Sequence, residues 1–162
     1  MLTLVKLKRS YSAREVTSLT GLSARQLQWW DARRLLSATV ASRRTEAGGF
    51  TERRYSPVDL YELLALADLR RRGFSVQKIR TLLSVLRLNF GVRLYETLSE
   101  RGDVTLLTDG HELYARTVSG EFYNLLREPG QPLLVVGKQA ELKGLSTRVQ
   151  RKRVTNKNSA PR

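Results

Sequence analysis

The stretch from Ser12 to Trp30, SAREVTSLTGLSARQLQWW, decides the reading of this chain. It carries the same helix-opening device twice. Ser12-Ala13-Arg14-Glu15 spells a capping box, in which the Ser12 hydroxyl accepts from the Glu15 amide and the Glu15 carboxylate reaches back. Val16 and Leu19 then supply a short apolar face, and Gly21 suits a left-handed stop. Ser23-Ala24-Arg25-Gln26 repeats the device and opens a second helix, with Leu27 and Trp30 three residues apart. Two short helices joined at Gly21-Leu22 fit a helix-turn-helix. The second helix stands in the recognition position. Its cap Ser23 and the side chains of Arg25, Gln26, Gln28 and Trp29 are expected outside, where such groups reach base edges or phosphates. Adjacent helical residues point about 100° apart, so Trp30 is expected inside and Trp29 partly exposed.

Working outward, residues 37–56 (SATVASRRTEAGGFTERRYS) predict a basic hairpin, with Gly48-Gly49 at its turn and Arg43, Arg44, Arg53, Arg54 and Tyr55 on its strands. Ser56 then caps a helix with Pro57 at its first position, and Leu60, Leu63, Leu64 and Ala67 recur at helical spacing. Arg70-Arg71-Arg72 reads as a solvated helix end favoured by the dipole, and Gly73 stops the helix. Ser75 caps the next helix, whose inward face is Val76, Ile79, Leu82, Leu83 and Leu86. Leu88-Asn89-Phe90-Gly91 breaks it.

Beyond residue 90 the expectation is a small α+β unit. Residues 92–100 read as a short helix ended by Gly102. Val104–Leu107 and Glu112–Thr117 read as strands around the turn Thr108-Asp109-Gly110. Ser119–Arg127 reads as another short helix and Leu133–Val136 as one buried strand. The aromatics Phe90, Tyr95, Tyr114, Phe122 and Tyr123 are expected to pack that unit rather than line a ligand pocket.

Charge divides the 162 residues more sharply than it totals them. With 29 basic and 15 acidic side chains the chain carries +14, which points to a polyanionic partner. Residues 1–90 hold 17 basic and 7 acidic groups, residues 91–142 hold 5 and 8, and residues 143–162 hold 7 and none. The middle segment has no reason to seek phosphate, and the basic tail with Arg148, Arg151, Lys152, Arg153 and Lys157 reads either as solvated disorder or as an electrostatic arm. A single histidine, His111, and no cysteine leave nothing from which to build a zinc site, so no metal or cofactor is expected. His111 beside Asp109 lacks a nucleophile or a metal partner, so an enzyme is not expected either. No apolar run approaches the roughly 18 residues of a membrane span. The opening MLTLVKLKRS is too short and interrupted for a signal peptide, and a cytoplasmic location is expected.

Across residues 11–87 the order of elements resembles the MerR family of bacterial winged helix-turn-helix regulators. The resemblance rests on Tyr11-Ser12, Thr20-Gly21-Leu22-Ser23, Arg25 and Leu27, and Leu35-Leu36. It continues through Arg53-Arg54-Tyr55-Ser56, Asp59-Leu60, Gly73-Phe74-Ser75, Ile79-Arg80 and Leu82-Leu83. With the charge division marking off an accessory or dimerisation module over 91–142 and a flexible basic tail over 143–162, it implies a mainly α winged helix-turn-helix domain over residues 1–90. It also implies sequence-specific binding of double-stranded DNA by a homodimer that regulates transcription on the nucleoid. Residues 23–30 would enter the major groove. Arg43, Arg44, Arg53, Arg54 and Tyr55 would lie along the backbone or minor groove, and Ser75 near a phosphate. Two places depart from the family pattern. Gln28, Trp29, Trp30 and Asp31 stand where the family has an arginine, two tyrosines and a glutamate, and Asn89–Gly91 interrupts the family's long pairing helix. Two other readings use the same residues: an antitoxin or adaptor gripping a protein partner through 91–142, and an excisionase-like factor that bends DNA for recombination.

Overall fold

The computed structural model describes residues 8–36, 40–44, 51–134 and 143–145. Among them are four α-helices and two antiparallel sheets. Strand β1 (Tyr11–Ser12) leads into α1 (Ala13–Thr20), and α2 (Ala24–Ala32) follows across the Gly21 turn. The hairpin strands β2 (Val40–Arg44) and β3 (Thr51–Tyr55) come next, then α3 (Pro57–Arg71) and α4 (Val76–Phe90). The hairpin turn expected at Gly48-Gly49 lies outside the described residues. In the first sheet β3 is central, with Tyr11 facing Tyr55 and Ser12 facing Arg54.

All four helices open on the serines expected to cap them. Ser12, Ser23 and Ser56 each complete a capping box, with Glu15, Gln26 and Asp59 respectively. Ser75 accepts from the Lys78 amide at 3.2 Å. Three of the stops, those of α1, α3 and α4, fall at glycine, because a Cβ disfavours the left-handed conformation there, whereas α2 stops on Arg34. Gly21 has φ 78° and Gly91 has φ 66°. α4 therefore ends at Phe90 after 15 residues and does not run on as a long pairing helix.

After Gly91 the chain is a sheet, not an α+β unit. A one-turn 3-10 helix, Leu94–Thr97, replaces the helix expected over 92–100. Strands β4 (Val104–Thr108) and β5 (Leu113–Thr117) pair around the Asp109 turn as expected. The helix expected at Ser119–Arg127 is instead β6 (Phe122–Asn124) with flanking turns. The i, i+3, i+4 spacing of Phe122, Leu125 and Leu126 imitates a helix. Burial of Phe122 and Asn124, with Tyr123 only half-buried, is the period of a strand. Strand β7 is Glu128–Leu133, earlier in the chain than the run expected at Leu133–Val136, whose Val135 and Val136 lie outside the described residues. Pro129 and Pro132 argue against a strand in sequence, but β7 is an edge strand of the order β7-β6-β5-β4-β8, where a missing amide costs no ladder bond. Lys143–Gly144, assigned to the tail by composition, form the opposite edge β8 and pair with Thr108 and Leu107. The tail arginines and lysines beyond Leu145 lie outside the described residues.

One buried cluster runs through both parts. Trp30, Leu63, Leu66, Ile79, Leu82 and Leu86 from the helices join Leu94, Leu106, Leu113 and Leu125 from beyond residue 90. α3 is the spine of this core and packs on α1, β3, α4 and the 3-10 turn. The junction is also polar. Buried Glu62 accepts from the Arg93 guanidinium and, at 3.3 Å, from the Tyr95 amide. Phe90 meets Tyr123 edge-on with ring centroids 5.2 Å apart. Gly102 closes the turn after the 3-10 helix; a Cβ there would stand 2.6 Å from the Glu96 carbonyl oxygen, so a side chain is sterically barred.

Candidate nucleic-acid interface

The turn between α1 and α2 is pinned by Thr20. Its buried hydroxyl donates to the Val16 carbonyl at 2.7 Å and accepts from the Leu22 amide at 3.2 Å. Leu22, Leu27 and Trp30 sink into the core and fix the rotation of α2 about its axis. That rotation leaves Ser23, Arg25, Gln26, Gln28 and Trp29 exposed, as expected. Trp30 is 2% exposed and Trp29 is 39% exposed, so the two adjacent indoles do separate into core and surface. The Arg33 guanidinium lies 4.5 Å from the Trp29 ring centroid, a cation–π contact that holds a positive charge beside the indole. Arg33 was not singled out in the sequence; its place four residues after Trp29 on the same face is the signal that finds it.

Ser23 and Gln26 are partly spent on the cap. The Ser23 hydroxyl accepts from the Gln26 amide at 3.1 Å, and the Gln26 side-chain oxygen accepts from the Ser23 amide at 2.9 Å. The Gln26 side-chain NH2 is what remains for an outside partner. Ser23, Arg25, Gln26 and Trp29 share a cleft of about 290 Å³ with Arg70 and Val76. The starts of α2 and α4 are thus neighbours through Val76, and Ser75 is exposed at the N-terminus of α4. Arg70 is oriented by donating to the Phe74 carbonyl at 2.7 Å, whereas Arg71 and Arg72 turn back to Asp68.

The hairpin residues behave differently from one another. Arg53 pairs with Asp31 at 3.1 Å and so ties β3 to the last turn of α2. Arg54 donates to the Ser10 hydroxyl at 2.8 and 3.1 Å and to the Ser10 carbonyl at 3.3 Å, which makes it a brace for the chain leading into β1. Tyr55 corrects the expectation of a surface contact. It is 1% exposed, part of the core, and its side chain cannot meet a phosphate. Burial pushes the Tyr55 phenol above the usual tyrosine range, against the pull of the nearby Arg53 guanidinium. The backbones of Arg43 and Arg44 pair with Glu52 and Thr51 in the β2–β3 ladder.

Residues 11–86 match the MerR HTH family of regulatory proteins. This segment is thus MerR-like. Three HTH-type transcriptional regulators, described as uncharacterized, are also similar: one from Mycobacterium bovis and two from Mycobacterium tuberculosis strains. Each is 32% identical over 138 residues, covering 83% of this chain and 56% of the relative. The chain thus spans little more than half the length of those relatives, and the likeness reaches past the MerR segment into the sheet. Along α2, Trp29 to Asp31 divide between core and surface. Trp30 fills the core, Trp29 carries Arg33, and Asp31 holds Arg53. Among the described residues no helix is long and apolar enough to cross a membrane.

Proposed function

We propose that this chain is a sequence-specific transcriptional regulator that binds duplex DNA as a homodimer, in the cytoplasm and on the nucleoid. The observation that carries the reading is the outward face of α2. Arg25, Gln28, Trp29 and Arg33 all stand away from a core that Leu27 and Trp30 anchor. Arg25, near the N-terminus of the helix, takes a base edge in the major groove. Ser75 presents the amides of α4 to a backbone phosphate, where a helix N-terminus attracts anions. Arg43 and Arg44 serve as the wing's charges, Arg53 as the tie that sets the wing against α2, and Arg54 as a brace. Tyr55 is withdrawn from the contact set.

One such unit reads few base pairs, so specificity calls for two copies on two half-sites. Residues 91–142, with fewer basic than acidic groups, are the part free to meet another protein. Leu94, Leu106, Phe122 and Leu125 are buried in the core, and among the described residues there Val118, Leu133 and Leu134 are the exposed large apolar side chains.

The test is selection of duplex sites by the full chain, followed by titration at two salt concentrations. Binding is expected to weaken steeply with salt, since each phosphate contact releases counterions. Arg25→Ala should cost about 1–3 kcal/mol and relax preference at one position, with an unchanged melting temperature. A full chain that retards no duplex at low salt overturns the reading.

A further inference from the structure

The molecule carries a second set of arginines away from the outward face of α2. Arg34 and Leu35, which follow α2, face Arg80, Leu83, Ser84 and Arg87 of α4 across a cleft of about 170 Å³. The cleft continues into one of about 430 Å³ that shares Arg34, Leu35, Leu83 and Arg87 and is floored by Leu36, Val92 and Leu94. The two acids in its wall are already engaged. Glu62 holds Arg93 and the Tyr95 amide, and Asp59 accepts from the Ser56 amide at 2.8 Å. Among the described residues, Arg34, Arg80 and Arg87 meet no carboxylate at ion-pair distance. Three arginines thus share the smaller cleft, and two of them, Arg34 and Arg87, also border the apolar floor of the larger one.

Arg34 is also the only described residue other than glycine with a positive φ, at 54°. Glycine takes that conformation without strain, whereas a residue with a Cβ is held there at a cost. The conformation is the stop of α2, closed by the Leu35 amide donating to the Trp30 carbonyl at 2.9 Å, and it fixes the Arg34 backbone at the rim of the cleft.

We propose that this cleft binds a small amphiphilic organic anion, with a phosphate or carboxylate head on a compact apolar body. The forks of Arg34, Arg80 and Arg87 match such a head in geometry as well as charge. Leu35, Leu83 and Val92 take the body. The larger cleft, about 430 Å³, falls in the lower part of the range typical of small-molecule sites, roughly 300–1,000 Å³, and the smaller one extends it. A nucleic-acid backbone would use the arginines but not the floor. An occupant would clamp the connection between α2 and β2 onto α4, so its binding reports directly on the element that carries the recognition helix.

The experiment titrates the full chain, without DNA, with hexyl phosphate and with hexanoate, and follows the backbone amides of Leu35, Leu83 and Val92 by NMR. Inorganic phosphate and hexanol serve as the separated halves. The expected result is saturable shifts at these amides with at least one of the two amphiphiles, about tenfold tighter than with inorganic phosphate. Arg87→Gln should weaken the site by about tenfold. Arg34→Gly should abolish the tighter binding while melting no lower than the parent, because glycine relieves the backbone. Absence of saturable shifts overturns the proposal, and so does equal affinity for inorganic phosphate, which would show a merely basic surface. A loss of duplex affinity in Arg80→Gln and Arg87→Gln as large as that in Arg25→Ala also overturns it, by assigning the arginines to the DNA backbone. Since the ligand titration needs no DNA, it stands or falls apart from the DNA-binding reading.

Discussion

α2 and α3 open with the same capping box and then part company. α2 buries two of its nine residues, Leu27 and Trp30, whereas α3 buries ten of fifteen, including the acids Asp59, Glu62 and Asp68. One narrow stripe is enough to seat α2 and leaves most of its surface for a partner. α3 is enclosed, because α1, β3, α4 and the 3-10 turn cover it from several sides. A helix can bury acids only if they are paired or bonded, and each of these is: Asp59 by its cap, Glu62 by Arg93, Asp68 by Arg72. The difference separates a helix with an open outer face from one enclosed by the rest of the fold.

The harshest way to break this comparison is to cut the chain after Phe90. The cut removes Leu94, Leu106, Leu113 and Leu125 from the shared core and leaves Glu62 without Arg93. Burial of each such leucine contributes about 1.5–3 kcal/mol, against a typical total of about 5–15 kcal/mol. The fragment should lose its cooperative melting transition in calorimetry. A sharp transition in the fragment would show that the helices fold without the sheet, and α3 would then not be the spine described above.

Point substitutions sharpen the contrast on a smaller scale. Leu66, at the centre of α3, is fully buried; Leu66→Ala should cost about 2–5 kcal/mol in urea denaturation. Gln28→Ala on the outer face of α2 should stay within about 0.5 kcal/mol. If the two substitutions cost the same, the division between the helices is wrong.

The smallest effect concerns the residue that leads into α3. The Tyr55 phenol is raised in the folded chain by burial. A raised acid keeps its proton in the fold while the unfolded chain begins to lose it. Stability is therefore complete below the ordinary tyrosine range, near pH 10, and declines as pH rises through it and on through the folded value. Tyr55→Phe should flatten that alkaline decline by measured melting temperature. Identical alkaline profiles in the two proteins would place the loss elsewhere.

Much of the helical half is legible because its signals are local. A serine three residues before a carboxylate or amide, a proline after the cap and a glycine at the stop act within one turn, so they mean the same thing in sequence as in the fold. The separation of Trp29 from Trp30 follows for the same reason, from a 100° step. The hairpin arginines were harder. Arg53, Arg54, Asp31 and Ser10 carry no mark of which will meet, since Ser10 and Arg54 are brought together only when β1 pairs with β3.

By itself, then, the sequence determined the four helix starts, the turn at Gly21, the end of α4 at Gly91 and the outward set on α2. Only the tertiary structure decided that Tyr55 is core, that Phe122–Asn124 is strand, that prolines sit in β7 and that Lys143 belongs to a sheet. It also decided that Arg34 closes a cleft with Arg80 and Arg87. The physical reason is range. Caps and stops are settled by bonds within a few residues, whereas strand identity, burial of a phenol and convergence of charges depend on segments far apart in the chain that share no local pattern.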